Sequence, residues 1–298
     1  MEKNPFKAGY VAIVGVPNVG KSTLMNALVG QKLSIVTNKP QTTRHKIIGI
    51  LSGEEYQIVF LDTPGLLQPK YQLHRTMMHA AQAAIADADL VLYMIDCTRD
   101  PEQAGQQPEM DILRTLKKPV YLVVNKTDAV KKQQVADMIA VHSASYKFKE
   151  VFPLSALTND GIEALVQEIV RDLPEHEPYY PTDAVTEHPE RFFVGELIRE
   201  KIFEVFREEI PYSTTVDIID FKERPGKKDL IEAEIYVERD SQKGILIGKK
   251  GIALKQIGET ARKAIEEFLQ RPVFLNLHVR VKGNWREQDA MLKRLGYK

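Results

Sequence analysis

YVAIVGVPNVGKST, residues 10–23, decides the fold. Its first six residues form a continuous apolar run, the pattern of a strand covered on both faces. Residues 15–22, GVPNVGKS, match the phosphate-binding spacing G-x-x-x-x-G-K-[ST]. Gly15 and Gly20 let the backbone curl until its N–H groups point at phosphate oxygens. The helix that follows adds the positive end of its dipole. Lys21 reaches the β- and γ-phosphates, and Ser22 is a ligand for Mg²⁺.

Outward from this loop, a helix is predicted from Lys21 to about Leu28. HKIIGIL (45–51) and YQIVFLD (56–62) flank the turn residues SGEE and read as a strand hairpin. LVLYMID (90–96) and VYLVVNK (120–126) are apolar throughout and read as buried strands. VFPLSAL (151–157) reads as the last strand, and DGIEALVQEIVRDL (160–173) as a helix. The alternation predicts an α/β fold, a mostly parallel sheet with helices on both sides.

Three further motifs fit a guanine nucleotide. In DTPGLL (62–67), Asp62 ends a strand and can hold a water on Mg²⁺, and the Gly65 N–H can detect a γ-phosphate. In Ras-like switches the next residue is a glutamine that orients the attacking water. Leu66 cannot do that, so either the nucleotide is not hydrolysed or other groups do the work. In NKTD (125–128), the Asp128 carboxylate can accept both the ring N–H and the exocyclic amine of guanine, a donor pair that adenine lacks. Lys126 is expected over the base plane, and Asn125 between neighbouring loops. In SAL (155–157), beside Ser155, the Ala156 N–H is expected to face the guanine oxygen. QTTRH (41–45) holds two threonines, one of which should close over Mg²⁺ when a γ-phosphate is present. Thr43 is the favoured one and Thr42 the alternative.

Residues 174–190 carry four prolines without sustained periodicity and read as a linker between domains 1–173 and 191–298. The second domain reads α-β-β-α-α-β-α. Between two of its helices lies GKKG (248–251), preceded by ILI. The setting resembles a KH domain of the type that begins with a helix (type II, α+β), whose G-x-x-G loop grips the backbone of single-stranded nucleotides. Ile247, Gly248, Lys249, Lys250 and Gly251 are the candidate RNA residues. Charge agrees: residues 241–298 carry 13 Lys or Arg against 5 Asp or Glu, net +8, in a chain whose formal net charge is zero. Cys97 is the only cysteine, which excludes an internal disulfide and a cysteine-based zinc site. The N-terminus shows no signal core and no apolar run is long enough to span a bilayer, so the expected location is cytoplasmic.

GVPNVGKST, QTTRH, DTPGLL, NKTD, SAL and ILIGKKG together resemble the Era family of bacterial GTPases, across nearly the whole chain and both domains in order. The resemblance implies a P-loop G domain followed by a KH domain, with GTP/GDP and Mg²⁺ as cofactors. It implies a small-subunit (30S) assembly factor whose KH domain binds near the 3′ end of 16S rRNA, expected to act as a monomer. It also implies a cytoplasmic protein with some peripheral association with the inner membrane. Family members carry a hydrophobic residue where the glutamine would sit, as Leu66 does here. Several relatives use a K⁺ ion held through the loop asparagine, Asn18 here. The phosphate cradle implied is Asn18, Val19, Gly20, Lys21, Ser22 and Thr23, and the catalytic set implied is Lys21, Thr43 and Gly65, with metal ligands Ser22, Thr43 and, through water, Asp62. The main alternative is a nucleotide-responsive RNA chaperone in which hydrolysis is incidental. A tRNA-modification GTPase would need a second catalytic domain or a C-terminal cysteine, which this sequence lacks.

Overall fold

The computed structural model describes residues 5–100 and 109–297. It divides into two compact units. The first comprises the chain up to Ser34, Thr43–Gln68 and Met77–Glu187. The second comprises Ile35–Thr42, Pro69–Thr76 and the chain from His188 onward.

The first unit is built on a six-stranded sheet. Its strands are β1 (Lys7–Val14), β2 (Ile47–Ser52), β3 (Tyr56–Asp62), β4 (Leu90–Asp96), β5 (Val120–Asn125) and β6 (Glu150–Pro153), in the order β2-β3-β1-β4-β5-β6. Only β2 runs antiparallel, in the hairpin with β3, and the other pairings are parallel. Every residue of β4 and of β5 is buried, which is why both read as unbroken apolar runs. Helices α1 (Lys21–Val29), α2 (Gln72–Asp87, whose first turn belongs to the second unit), α3 (Glu109–Arg114), α4 (Lys132–Ser145) and α5 (Ile162–Asp172) accompany the strands. The phosphate loop follows β1, DTPGLL begins at the end of β3 and NKTD at the end of β5, so these motifs gather at the C-terminal ends of parallel strands, where open α/β sheets bind ligands.

Two sequence expectations change in detail. The last strand ends at Pro153 rather than Leu157, and Ser155 pairs instead with Asp160 in an isolated bridge. Residues 174–187 belong to the first unit. Ile50 donates to the Val185 carbonyl at 2.9 Å, and the Gln57 side chain meets Tyr179 N, Tyr180 N and the Tyr180 carbonyl at 2.7, 2.9 and 2.9 Å. These bonds satisfy backbone groups on the exposed edge of β2 and a side chain with no solvent access.

The second unit places helix α6 (Glu190–Val205), the short α7 (Ile210–Ser213), α8 (Asp240–Ile247), α9 (Ile252–Leu269) and α10 (Asp289–Arg294) with a three-stranded sheet. Its strands are β7 (Thr215–Lys222), β8 (Asp229–Val237) and β9 (Val273–Val281), with β7–β8 antiparallel and β8–β9 parallel. Ile257, Ala261, Ile265 and Leu269 recur at four-residue spacing on α9 and are buried, so one helical face closes the core over the sheet. Apart from the short α7, this is the α-β-β-α-α-β-α order that the sequence predicts.

Candidate nucleotide and RNA sites

The phosphate loop joins β1 to α1. Gly15 has φ +152°, and a Cβ there would lie 2.3 Å from the Met94 carbonyl. Gly20, at φ +102°, leaves no room either, since its Cβ would meet Asn125 Nδ2 at 2.2 Å. Asn18 adopts φ +68°, so the loop curls as the motif requires. Val19 is buried beneath it. Lys21 opens α1, with Ser22 and Thr23 in its first turn, where backbone N–H groups lack helical partners. The Lys21 ammonium is buried and donates to the Gly15 and Val16 carbonyls at 3.1 and 3.0 Å. Burial lowers its pKa to about 8, against the pull of Asp62. Phosphate oxygens beside it would favour the charged form.

Ser22, Thr43 and Asp62 meet beside Lys21. Ser22 Oγ lies 2.7 Å from Thr43 Oγ1 and 2.8 Å from Asp62 Oδ2. Ser34 Oγ also donates to Asp62 Oδ2, at 2.8 Å. Burial pushes the Asp62 pKa up, opposed by Lys21 and by the hydroxyls of Ser22 and Ser34. Its other oxygen, Oδ1, is buried and has no hydrogen-bond partner. Two hydroxyls, a carboxylate and an unused acceptor suit Mg²⁺, a hard cation that keeps several of its waters. A metal-bound water would supply the donor that Oδ1 lacks. Thr42 is differently engaged: its hydroxyl donates to the Lys39 carbonyl at 2.7 Å and lies 2.6 Å from Thr37 Oγ1.

Gly65 sits against the phosphate loop, where a Cβ would come within 2.8 Å of the Pro17 backbone nitrogen. Leu66 donates its N–H to the Gly15 carbonyl at 3.1 Å and is buried. Gly65→Ala should therefore push this turn away from the loop. Affinity for a non-hydrolysable GTP analogue should fall about tenfold, the size of one lost charge-assisted hydrogen bond, with GDP affinity kept. Titration of both fluorescent nucleotides checks this, and a parallel fall in GDP affinity would remove Gly65 from γ-phosphate sensing.

On the base side, Asn125 ties three segments together. Its Nδ2 donates to the Val19 carbonyl at 2.8 Å and its Oδ1 accepts the Ala156 N–H at 2.9 Å. The N–H expected at the guanine oxygen is thus engaged with Asn125. Lys126, at φ +69°, donates to the Asn18 carbonyl at 3.0 Å and to Asp96 Oδ2 at 2.6 Å. Ser155 Oγ donates to Asp128 Oδ1 at 2.6 Å, and both oxygens of this exposed carboxylate keep lone pairs for a ligand.

Sequence reading missed Ser34 and Asp96. Asp96 ends β4 directly opposite Asn125 in the parallel register, so its place at a strand end was the available signal. Burial alone would raise its pKa, but hydrogen bonds from Lys126 and Thr98 hold it below the usual carboxylate range. Ser34 lies in a stretch without periodicity, and no signal marked it.

In the second unit, α8 ends at Gly248 with φ +73° and ψ 174°, a conformation almost confined to glycine. Lys250 (φ +54°) and Gly251 (φ +79°) continue the turn into α9. Lys249 and Lys250 are exposed, while Ile247 is partly buried. Beside this loop, α9 and β9 border a groove of about 550 Å³ lined by Leu254, Lys255, Arg262, Phe274 and Leu277 among others. Phe274 is 55% exposed although it is a large apolar side chain. Apolar surface flanked by cations suits stacked bases and their phosphates. The sequence reading stopped at the GKKG loop and did not reach this groove.

Fold and sites together define a P-loop guanine-nucleotide-binding domain joined to a KH domain. Residues 10–126 match the family of 50S ribosome-binding GTPases, and residues 209–286 match the KH domain. Over the full length of both chains, this protein is 47% identical to GTPase Era of Geobacter metallireducens. It resembles the crystal structure of a tyrosine-to-alanine variant of Aquifex aeolicus Era bound to GDP and AlF₄⁻, with a TM-score of 0.92 and 40% identity over 98% of this chain and 99% of that one. An Era crystal structure in complex with MgGDPNP and nucleotides 1506–1542 of 16S ribosomal RNA is equally similar, with TM-score 0.92, 40% identity and the same coverage. The chain belongs to the Era family of GTPases. Among the described residues, no helix is long and apolar enough to cross a membrane.

Proposed function

We propose that this protein is a Mg²⁺-dependent GTPase that binds the 3′ region of 16S rRNA and assists assembly of the 30S subunit. The N-terminal residues 1–173 carry the nucleotide and residues 191–298 carry the RNA. The observation that carries the reading is the cluster of Ser22, Thr43 and Asp62 beside Lys21, with Asp62 Oδ1 buried and unsatisfied. The RNA part rests on the KH groove and on the rRNA fragment bound by the Era relative. The family resemblance suggests a monomer in the cytoplasm with some peripheral contact with the inner membrane.

The residues divide the work. Asp128 reads the base, steadied by Ser155. Asn125 joins the base-reading strand end to the phosphate loop. Lys21 and the loop N–H groups hold the phosphates and stabilise charge that develops on the transferred phosphoryl group. Ser22 and Thr43, with Asp62 through water, would hold Mg²⁺, which would supply positive charge beside the phosphates. Leu66 is buried and orients no water, so backbone groups of the two switch segments place it. Asn18 would hold the K⁺ that the family resemblance implies, which would supply part of the charge an arginine finger brings.

Turnover of GTP in K⁺ against Na⁺ at equal ionic strength tests this, for the unaltered protein, Asn18→Ala and Leu66→Gln. Stimulation by K⁺ that disappears in Asn18→Ala is expected. Leu66→Gln should give no gain, because the new amide enters a buried site. Equal rates in both salts would sink the potassium part, and a large gain from Leu66→Gln would show that the missing glutamine limits the rate. The reading in which hydrolysis is incidental draws on the same buried Leu66. It would win if a variant that binds but cannot cleave GTP still completed subunit assembly.

A further inference from the structure

We propose that Arg199 is a positioning residue for Thr43, acting through the carbonyl of Thr42. Residues 35–42 belong to the same compact unit as α6, and several bonds hold them on that helix. Val36 N donates to Glu200 Oε1 at 3.1 Å. Lys39 Nζ donates to the carbonyls of Phe203 and Phe206, at the C-terminal end of α6 where carbonyls lack helical partners. Arg199 makes the last attachment: its Nη2 donates to the Thr42 carbonyl at 2.5 Å. The guanidinium is itself fixed by Glu196, one turn earlier, through Nε at 2.8 Å and through Nη2.

Arg199 is 1% exposed, and its Nη1 has no hydrogen-bond partner. A buried arginine with an unsatisfied N–H is an expensive way to fill a core, since buried ion pairs add little net stability over apolar side chains of similar volume. What an apolar side chain could not do is hold a backbone carbonyl. The peptide bond is planar, so fixing the Thr42 oxygen fixes the plane that contains the Thr43 nitrogen. The Thr42 hydroxyl is already engaged with Thr37 and Lys39, which leaves its carbonyl as the handle. Thr43 then starts from a set direction, and its hydroxyl lies 2.7 Å from Ser22 Oγ. The proposal rests on the reading of Thr43 as the Mg²⁺-side switch residue.

The test compares Arg199→Lys, the double variant Glu196→Met with Arg199→Met, and Thr43→Ala in the full chain. Arg199→Lys keeps a charge for Glu196 but loses the planar fork that bonds Glu196 and Thr42 together. The double variant removes both charges at similar volume, so that it folds where a single deletion would leave a buried charge. Affinities for GDP and for a non-hydrolysable GTP analogue are measured with Mg²⁺ and with EDTA, alongside thermal melting. Both Arg199 variants should bind the analogue about fivefold to tenfold more weakly in Mg²⁺, the size of one lost hydrogen bond, with GDP affinity within about twofold and no deficit in EDTA. A purely structural role would weaken both nucleotides together, and that result overturns the proposal. If Thr43→Ala weakens the analogue and the Arg199 variants do not, positioning by Arg199 is wrong and the Thr43 reading stands. If none of the three changes it, the Thr43 reading falls, and the proposal with it.

Discussion

Asp128→Asn should exchange guanine for xanthine preference. The Asp128 carboxylate is exposed at the end of the short turn after β5, and Ser155 Oγ anchors Oδ1 at 2.6 Å. An anchored carboxylate presents two acceptors in one plane, which suits the ring N–H and exocyclic amine of guanine. An amide in the same place presents one acceptor and one donor. The donor then faces the guanine amine, while xanthine offers an oxygen there. Hydrogen bonds to a charged group contribute about 1.5–3 kcal/mol each, so losing one and opposing another should weaken GTP binding by roughly two to three orders of magnitude. XTP affinity should rise by a similar factor. Competition binding of GTP and XTP to both proteins reads this directly. Unchanged GTP preference would remove Asp128 from base reading, whereas equal weakening of both nucleotides would mean that the substitution disturbs the loop that Ser155 supports.

How much of this was legible in the sequence depends on where each residue finds its partners. β4 and β5 read correctly because burial on both faces leaves an unbroken apolar run. The nucleotide motifs were legible for a related reason: each places a backbone turn and its functional side chain within a few residues, so the chemistry is local. The expected strand over 151–157 ends at Pro153: Leu154 still donates to the Val124 carbonyl at 2.9 Å, but Ser155 then turns away from β5 to pair with Asp160. Residues 174–187 read as part of a linker because their bonds go to Ile48, Ile50 and Gln57, more than 120 positions away. The same limit hid Arg199. Its sequence context, ELIREKIFEV, reads as an ordinary charged helix, and only the fold brings the Thr42 carbonyl to it. Phe274 escaped notice because a strand phenylalanine is usually core, and its 55% exposure is a property of the groove alone.

Gly248→Asp together with Gly251→Asp should abolish RNA binding and leave GTP affinity nearly unchanged. The loop sits between α8 and α9, and Lys249 and Lys250 project from it. A phosphate backbone can approach closely because the two flanking glycines carry no side chain. Two carboxylates there would add bulk at the point of approach and cancel the charge of the two lysines. Affinity for a 16S 3′-end oligonucleotide should fall at least about a hundredfold, and each phosphate that the lysines no longer neutralise should flatten the salt dependence by close to one unit of log–log slope. The two positions are not equivalent, however. At Gly248 a Cβ would lie 2.7 Å from that of Ala253, and ψ of 174° with positive φ suits glycine alone, so an aspartate strains the end of α8. At Gly251 a Cβ meets nothing within 4 Å, and φ +79° with ψ 8° is a left-handed conformation that Asp tolerates better than most residues. Gly251→Asp alone is therefore the cleaner variant: it should keep its melting temperature within a few degrees and still lose most RNA affinity. If Gly251→Asp binds the oligonucleotide as tightly as the unaltered protein while the double variant does not, the weak binding of the double variant comes from backbone strain at Gly248 and not from a blocked phosphate approach. If both bind normally, the RNA does not use this loop.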